Sequence, residues 1–313
     1  MSNPTLKRAT GNWVVGDQFW DREVELSLFM ERLHEGAHLL LTAPRRIGKT
    51  SLLKEVARRL AGNCLCLYID LQKAESAADA VVELSLASHE YKPAWNRILS
   101  MFQNALRETV ETVKIRDLSV VLRGGLTADN WRSKGDELLE ILAEQDQPVA
   151  LFLDEVAILV NRLLRGSDYI ITDQRRQEVD AFLSWLRAAS IRHQGRIRLV
   201  VTGSIGLEPL VRQAGLSATL NTFTPFHLGP WTRDVASGCL KALSRPTVMH
   251  YCYTLTQSRK CWSAWECTSR TTCRCSSTMS TRRRALRRRR KPRLPWCEKS
   301  ISVRCWAFAG TWS

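Results

Sequence analysis

Short apolar runs alternate with longer amphipathic stretches along roughly the first 245 residues of the chain. An apolar run of about five residues between polar turns is typical of a strand that is buried on both faces of a sheet. Five runs fit this pattern: His38–Thr42, Cys64–Asp70, Val149–Asp154, Arg198–Thr202 and Phe223–Leu228. Because predicted helices separate these strands, the pattern predicts an α/β fold with a parallel sheet.

The stretches outside the strands carry apolar residues at helical spacing. They predict helices at Asp21–Gly36, Lys49–Ala61 and Thr172–Ile191. The segment Asp79–Gln145 is largely polar and is predicted to be mostly helical, with a turn at Gly124 and Gly125. In the first helix, Val24, Leu28 and Leu33 lie near one face. The inward positions of the second and last helices are predicted to be Leu52, Leu53, Val56, Leu60, Val179, Phe182, Leu183 and Leu186.

The loop between the first strand and its helix reads Ala43-Pro-Arg-Arg-Ile-Gly-Lys-Thr50, followed by Ser51. Strand, loop, Gly-Lys-Thr and helix form the context of the phosphate-binding loop G-x-x-x-x-G-K-[ST], here with Ala43 in place of the first glycine. In such a loop, N–H groups and the positive helix end hold a β-phosphate. We expect Lys49 to place charge across the β- and γ-phosphates and the Thr50 hydroxyl to ligate Mg²⁺. The predicted nucleotide contacts are Pro44, Arg45, Arg46, Ile47, Gly48, Lys49, Thr50 and Ser51. Arg45 and Arg46 either add charge to this site or face solvent.

The third predicted strand ends in two carboxylates, Asp154 and Glu155. The carboxyl ends of parallel strands form the edge at which open α/β sheets bind ligands. We expect Asp154 to hold Mg²⁺, directly or through water, and Glu155 to polarise the attacking water. The alternative for this pair is an exposed helix start without a chemical role.

The fourth predicted strand ends in Thr202, followed closely by Ser204. A hydroxyl at this edge can sense a γ-phosphate or orient water, so both are candidates, with Ser204 assigned a catalytic role. An equally good interpretation makes Ser204 a helix N-cap. Arg212 is a candidate charge-stabilising finger by residue type alone.

Charge is distributed unevenly along the chain. The 313 residues have a formal net charge of +15, but residues 246–313 hold 15 basic and 2 acidic residues, against 31 and 29 before them. A strongly basic composition favours nucleic acid or anionic membranes, and here that applies to the tail alone. We find no apolar run of the roughly 18–20 residues that span a bilayer and no apolar signal-peptide region. Only Cys64, Cys66 and Cys239 precede the tail, as expected for a reduced, cytoplasmic protein.

The tail, residues 246–313, holds 7 of the 10 cysteines and 5 of the 11 tryptophans. One interpretation of the tail is a zinc module between Cys261 and Cys275, but these cysteines lack the usual paired ligand spacing. Another is a basic arm at Arg282–Arg293 that would bind nucleic acid. We favour translation out of frame: if each codon began at the third base of the one now read, every Cys and Trp would become Leu, Met or Val. Since it has neither helix nor strand period, the tail is predicted to be disordered.

Four segments, APRRIGKTSLL, LFLDE, VVTGSIGLEPLV and FWDREVELSLFMERL, resemble the archaeal-type ATPase domain of the STAND class of P-loop ATPases. The resemblance covers roughly Asn12–Leu243. It implies ATP as the nucleotide and a three-layer sandwich with a five-stranded sheet of 51432-type order, in which the fourth and fifth strands flank the phosphate-loop strand. It also implies that Trp20–Arg22 lies near the adenine. The family continues into a helical lid and a winged helix, which this sequence does not show.

Residues 1–245 are therefore expected to form a P-loop ATPase domain, with the tail in place of the lid and winged helix. The expected function is Mg²⁺-dependent ATP hydrolysis or an ATP/ADP switch, weakened by loss of the lid. The alternative is a nucleic-acid-binding protein that uses the basic tail and is regulated by the nucleotide site. Expected partners are the nucleotide and either a second copy of the chain or another protein, and not a membrane.

Overall fold

The computed structural model describes residues 6, 13–102, 115–203 and 206–243. The predicted tail at 246–313 and the candidate Ser204 lie outside the described residues. The described strands form one parallel sheet in the order β2-β3-β4-β1-β5. Their bounds are β1 His38–Thr42, β2 Leu65–Asp70, β3 Val149–Asp154, β4 Ile197–Thr202 and β5 Phe223–His227. The predicted five-stranded parallel sheet of 51432-type order is confirmed, and β1 lies between β4 and β5.

Helices cover both faces of the sheet. They are α1 Glu23–His34, α2 Lys49–Leu60, α3 Ala77–Ala87, α4 Lys92–Met101, α5 Ile115–Gly124, α6 Trp131–Ala143, α7 Val156–Arg165, α8 Asp173–Arg192, α9 Leu207–Gln213 and α10 Arg233–Leu243. Short 3₁₀ turns lie at Gly16–Gln18, Leu71–Lys73, Ser88–Glu90 and Ser217–Leu220. Within the described ranges, we find no helix that is both long and apolar enough to cross a bilayer.

The sheet separates two apolar clusters because successive side chains of a strand point to opposite faces. Leu40, Leu153 and Val201 join the larger cluster together with residues of α3 to α9. Leu39 and Phe152 join the smaller one, which α1 and α2 cover. The result is a three-layer sandwich. Because β3 and β4 are central and covered on both faces, every residue of these two strands is buried.

Two predictions about the helices need correction. On α1 the buried residues include Leu26 and Phe29, whereas Val24 is 79% exposed. The predicted face was therefore wrong except at Leu33. The rings of Phe29 and of Phe226 on β5 pack edge-on with their centres 5.0 Å apart, so α1 turns its Phe29 side toward the sheet. The Asp79–Gln145 segment is helical in the described part, but its helices bury many apolar side chains and are not simply polar.

Candidate functional site

The loop of residues 43–48 connects β1 to α2 at the carboxyl edge of the sheet. Arg46 and Gly48 both have left-handed backbone conformations, with φ of 66° and 100°. Such angles are easy for glycine and costly for other residues, so Gly48 suits the position directly before α2. Ile47 packs on the smaller apolar cluster, while Arg45 and Arg46 are exposed. The loop is thus anchored by its apolar side chain, and its two arginines point outward.

Lys49, the first residue of α2, is folded back over this loop. Its side chain is buried, and Nζ lies 3.4 Å from the carbonyl oxygens of Ala43 and Pro44. Burial lowers the pKa of Lys49, while the charges of Glu155 and Asp154 act in the opposite direction. An ammonium group is therefore held inside the loop, facing the acidic end of β3.

Asp154 ends β3 and is 4% exposed. Its Oδ2 accepts a hydrogen bond of 3.3 Å from the Thr50 hydroxyl and another from the Tyr68 hydroxyl, and its Oδ1 accepts one of 3.0 Å from the Glu155 N–H. The pKa of Asp154 is raised above its ordinary value, chiefly because the carboxyl is buried, while the Tyr68 hydrogen bond and the Lys49 charge act in the opposite direction. The structure thus brings together Thr50 and Asp154, the two predicted metal ligands.

Glu155 occupies the turn between β3 and α7. It is half-buried and has a φ of 60°, a left-handed conformation that is uncommon for a residue other than glycine. Strained backbone of this kind occurs where surrounding structure fixes a residue, often at functional sites. The influence of its charge on both Lys49 and Asp154 places its carboxylate near the same pocket.

The other predicted site residues have different positions. Thr202 ends β4, directly beside the end of β3, since Val201 lies opposite Leu153. Its hydroxyl is buried without a hydrogen-bond partner among the described residues. Ser204 lies outside those residues, and Arg212 is exposed on α9, which packs against α7.

The sheet and its helices have counterparts among solved structures. The Walker-type ATPase PABY2304 of Pyrococcus abyssi superposes with a TM-score of 0.51 and 17% sequence identity, over 79% of this chain and 66% of that one. The ORC1 protein of Aeropyrum pernix, solved in complex with DNA, gives 0.42 and 16%, over 76% and 55%. No family model and no curated protein sequence match the chain. The first of these likenesses decides the architecture. The chain has a P-loop NTPase fold.

Within this P-loop NTPase fold, the side chains suit a magnesium ion. Mg²⁺ prefers oxygen ligands, and in nucleotide sites one or two carboxylates bind it together with phosphate oxygens and water. Thr50 and Asp154 supply a hydroxyl and a carboxylate close together, and the unpartnered Thr202 hydroxyl is available at the neighbouring strand end. Among the described residues, no group of three or more His, Cys, Asp or Glu side chains forms a site of another kind.

Residues 13–18, here called the N-terminal strap, lie along α2 of the P-loop NTPase fold. The Val14 N–H donates to the Ser51 hydroxyl at 3.1 Å, and the Gly16 N–H donates to Glu55 at 2.8 Å. Ser51, a predicted nucleotide contact, thus bonds to the strap in this structure. The sequence pattern did not reveal the strap, because contacts 37 and 39 residues apart carry no local signal.

Residues 20–22 pack against the first turn of α10 and the residues just before it. The Trp20 indole donates to the Val235 carbonyl at 3.2 Å, and the Arg22 guanidinium lies 5.7 Å from the Trp231 ring centre. Their predicted position near adenine stays a prediction.

Tyr68 is a site residue that the sequence reasoning missed. It lies on β2 two positions before Asp70, which is opposite Asp154 in the β2–β3 register. Because side chains alternate along a strand, Tyr68 and Asp154 share the face that α2 covers. The sequence did hold a clue to this contact. The runs LCLYID and VALFLD both end in Asp, and Tyr68 is the phenol two positions before the Asp in the first of them.

Proposed function

We propose that this chain binds ATP together with Mg²⁺ and hydrolyses it slowly, as a nucleotide-dependent switch of the STAND type. The observation that carries the proposal is the meeting of Thr50 and Asp154 beside the buried Lys49 ammonium. These three groups combine positive charge for phosphate with oxygen ligands for a divalent cation. The P-loop NTPase fold supports the proposal, since it presents them at the end of a loop whose backbone can bind phosphate.

Each residue has a role in this proposal. Backbone N–H groups of residues 45–48 bind the β-phosphate, since Pro44 has no N–H, and Lys49 neutralises charge across the β- and γ-phosphates. Thr50 and Asp154 hold Mg²⁺, which when bound neutralises phosphate charge. Glu155 accepts the proton of the attacking water. The Thr202 hydroxyl, and Ser204 beyond the described residues, orient that water or contact the γ-phosphate.

The choice of ATP and of a switch comes from the resemblance to STAND ATPases. In such a switch the difference between ATP-bound and ADP-bound conformations matters more than the rate of turnover. The strap and residues 20–22 suit this function, because the strap bonds to α2, the helix that follows the phosphate loop, and Trp20 bonds to the first turn of α10.

Nucleotide binding by Lys49→Ala tests the proposal. Loss of a charge-assisted contact is expected to lower affinity for a fluorescent ATP analogue at least about tenfold. Lys92→Ala, on the exposed start of α4, is the matched control and should leave affinity unchanged. Equal affinity in wild type and Lys49→Ala would contradict the proposal. Phosphate release over time then separates a switch, with one slow turnover per binding event, from an enzyme with sustained turnover.

The charge of the tail supports a second candidate, a nucleic-acid-binding protein regulated by the nucleotide site. Residues 246–313 hold 15 basic and 2 acidic residues. Binding through such charges weakens steeply as salt concentration rises, because counterions are released from the nucleic acid. A comparison of the full chain with one ending at Arg245, titrated with duplex DNA at two salt concentrations, tests this candidate. Equal affinity of both chains at low salt would exclude a role for the tail.

A further inference from the structure

The Asp154 carboxylate is held by three hydrogen bonds from different parts of the fold. The Glu155 N–H holds Oδ1, whereas the hydroxyls of Thr50 and Tyr68 both donate to Oδ2. Thr50 belongs to the phosphate loop and its helix, but Tyr68 comes from β2, a strand that supplies no other candidate site residue. Since Asp154 is buried, each of these contacts restricts how its carboxylate can turn.

The ring of Tyr68 is itself fixed by α2 and the strap. The ammonium of Lys54 lies 4.4 Å from the centre of the Tyr68 ring and 4.7 Å from the centre of the Trp13 ring. A cation between two aromatic faces attracts both of them. In the register of the sheet, Tyr68 also lies opposite the buried Phe152 of β3. The phenol is therefore supported on its ring and aimed through its hydroxyl at Asp154.

We propose that Tyr68 is a positioning residue that orients the Asp154 carboxylate for Mg²⁺, and this inference rests on the proposed nucleotide function. A side chain that bonds to a metal ligand from outside the coordination sphere fixes the ligand's direction. Tyr68 suits this role because its hydroxyl shares Oδ2 with the Thr50 hydroxyl, so it holds the carboxylate toward Thr50. Tyr68 itself does not bind the nucleotide.

Tyr68→Phe tests the proposal, because it removes the hydroxyl and keeps the ring beside Lys54. The affinity for a fluorescent ATP analogue is measured with Mg²⁺ and with EDTA. We expect the affinity in EDTA to be unchanged and the affinity with Mg²⁺ to fall by about 10- to 100-fold, the usual effect of losing such a supporting contact. Tyr169→Phe, at a 74% exposed position, is the control and should match wild type in both conditions.

A double mutant shows whether Tyr68 acts through Asp154. If it does, adding Tyr68→Phe to Asp154→Asn causes no further loss of affinity with Mg²⁺, since coupled residues are not additive. An unchanged ratio of the Mg²⁺ and EDTA affinities in Tyr68→Phe, or full additivity in the double mutant, would overturn the proposal. Wild-type chain that binds no nucleotide in either condition would instead refute the proposed function on which this inference depends.

A measurement on the unmutated site covers the case in which Tyr68→Phe fails to fold. The chain has 5 tyrosines, so ¹⁹F NMR of fluorotyrosine-labelled protein gives a small set of signals. The Tyr68 signal is assigned by elimination, through replacement of the other tyrosines at 91, 169, 251 and 253. Addition of Mg²⁺ to the nucleotide-bound protein should shift the Tyr68 signal and leave that of Tyr169 in place. An unmoved Tyr68 signal would contradict the proposal.

Discussion

The hydroxyl oxygen of Thr50 lies 3.3 Å from Oδ2 of Asp154, although Thr50 lies on the helix that follows β1 and β1 is not a neighbour of β3 in the sheet. Thr50 follows β1 and Asp154 ends β3, and β4 lies between these strands. The contact therefore passes over the end of β4, where Thr202 has a buried hydroxyl without a described partner. Thr202 therefore ends the strand that lies between the strands leading to Thr50 and Asp154.

Replacement of Glu155 by Gln separates binding from chemistry. Glutamine keeps the size of the side chain but cannot accept a proton from water, so hydrolysis should fall by about 10²- to 10⁴-fold while ATP affinity is retained. Single-turnover phosphate release and analogue binding measure the two effects. Glu208→Gln, in the exposed first turn of α9, is the control. Hydrolysis at the wild-type rate in Glu155→Gln would remove Glu155 from its proposed role.

Replacement of Thr202 by Val tests the unpartnered hydroxyl. A buried hydroxyl without a partner costs about 1–3 kcal/mol, so its removal should raise the free energy of unfolding. Hydrolysis should fall at the same time, because the proposed contact to water or phosphate is lost. Thermal unfolding and phosphate release provide the measurements.

Thr219→Val provides the opposite case for comparison. Thr219 is also buried, but its hydroxyl donates to the Leu216 carbonyl at 2.7 Å. This variant should be less stable than wild type, with unchanged hydrolysis. If both threonine variants lose stability equally and neither changes hydrolysis, Thr202 is an ordinary core residue.

Replacement of Gly48 by Ala tests the backbone of the phosphate loop. A Cβ at this position meets no atom within 4 Å, so the cost comes from the φ of 100° alone. A left-handed conformation costs a residue with a Cβ about 1–2 kcal/mol, and we expect lower stability together with weaker ATP binding as the loop adjusts. Gly124→Ala, at an equally open helix position without positive φ, should be neutral or stabilising. Equal behaviour of the two variants would show that the loop tolerates another conformation.

The limits of β1 and β3 agree with the sequence prediction at both ends, because each strand is a continuous apolar run with a polar residue at its carboxyl end. The position of the loop between β1 and α2 followed from the same local pattern. Helix α7 was not predicted. Its sequence VAILVNRLLR begins with five apolar residues directly after the Asp-Glu pair, so its first turn shows no polar face from which a helical period could be recognised.

Contacts between distant segments were beyond the sequence pattern. The Tyr68–Asp154 bond depends on the register of β2 against β3, and the bond from Val14 to Ser51 depends on the path of the strap across α2. Neither residue type nor spacing specifies such a register. The face of α1 was predicted wrongly for the same reason, because the partner of Phe29 lies on β5, almost 200 positions away.

Glu55 is expected to make the strap sensitive to acid. Its carboxylate is buried and accepts hydrogen bonds from Arg58, Arg59 and the Gly16 N–H. Burial alone would raise its pKa, but these hydrogen bonds outweigh burial and lower the pKa of Glu55 to about 2. In the unfolded chain a glutamate has a pKa of about 4.3. The ionised group therefore stabilises the fold above about pH 4.3, and this contribution is lost as the pH falls toward 2.

Replacement of Glu55 by Gln should consequently lower the free energy of unfolding at neutral pH by about 2 kcal/mol, the scale of hydrogen bonds to a charged group. The difference from wild type should shrink as the pH falls, by at most about 1.4 kcal/mol per pH unit, because only the wild type loses this contribution. Urea unfolding between about pH 5 and pH 3 measures the difference. Glu31→Gln, at an exposed position of α1, serves as the control. A difference between Glu55→Gln and wild type that stays constant with pH would show that the Glu55 carboxylate is not selectively stabilised in the folded chain.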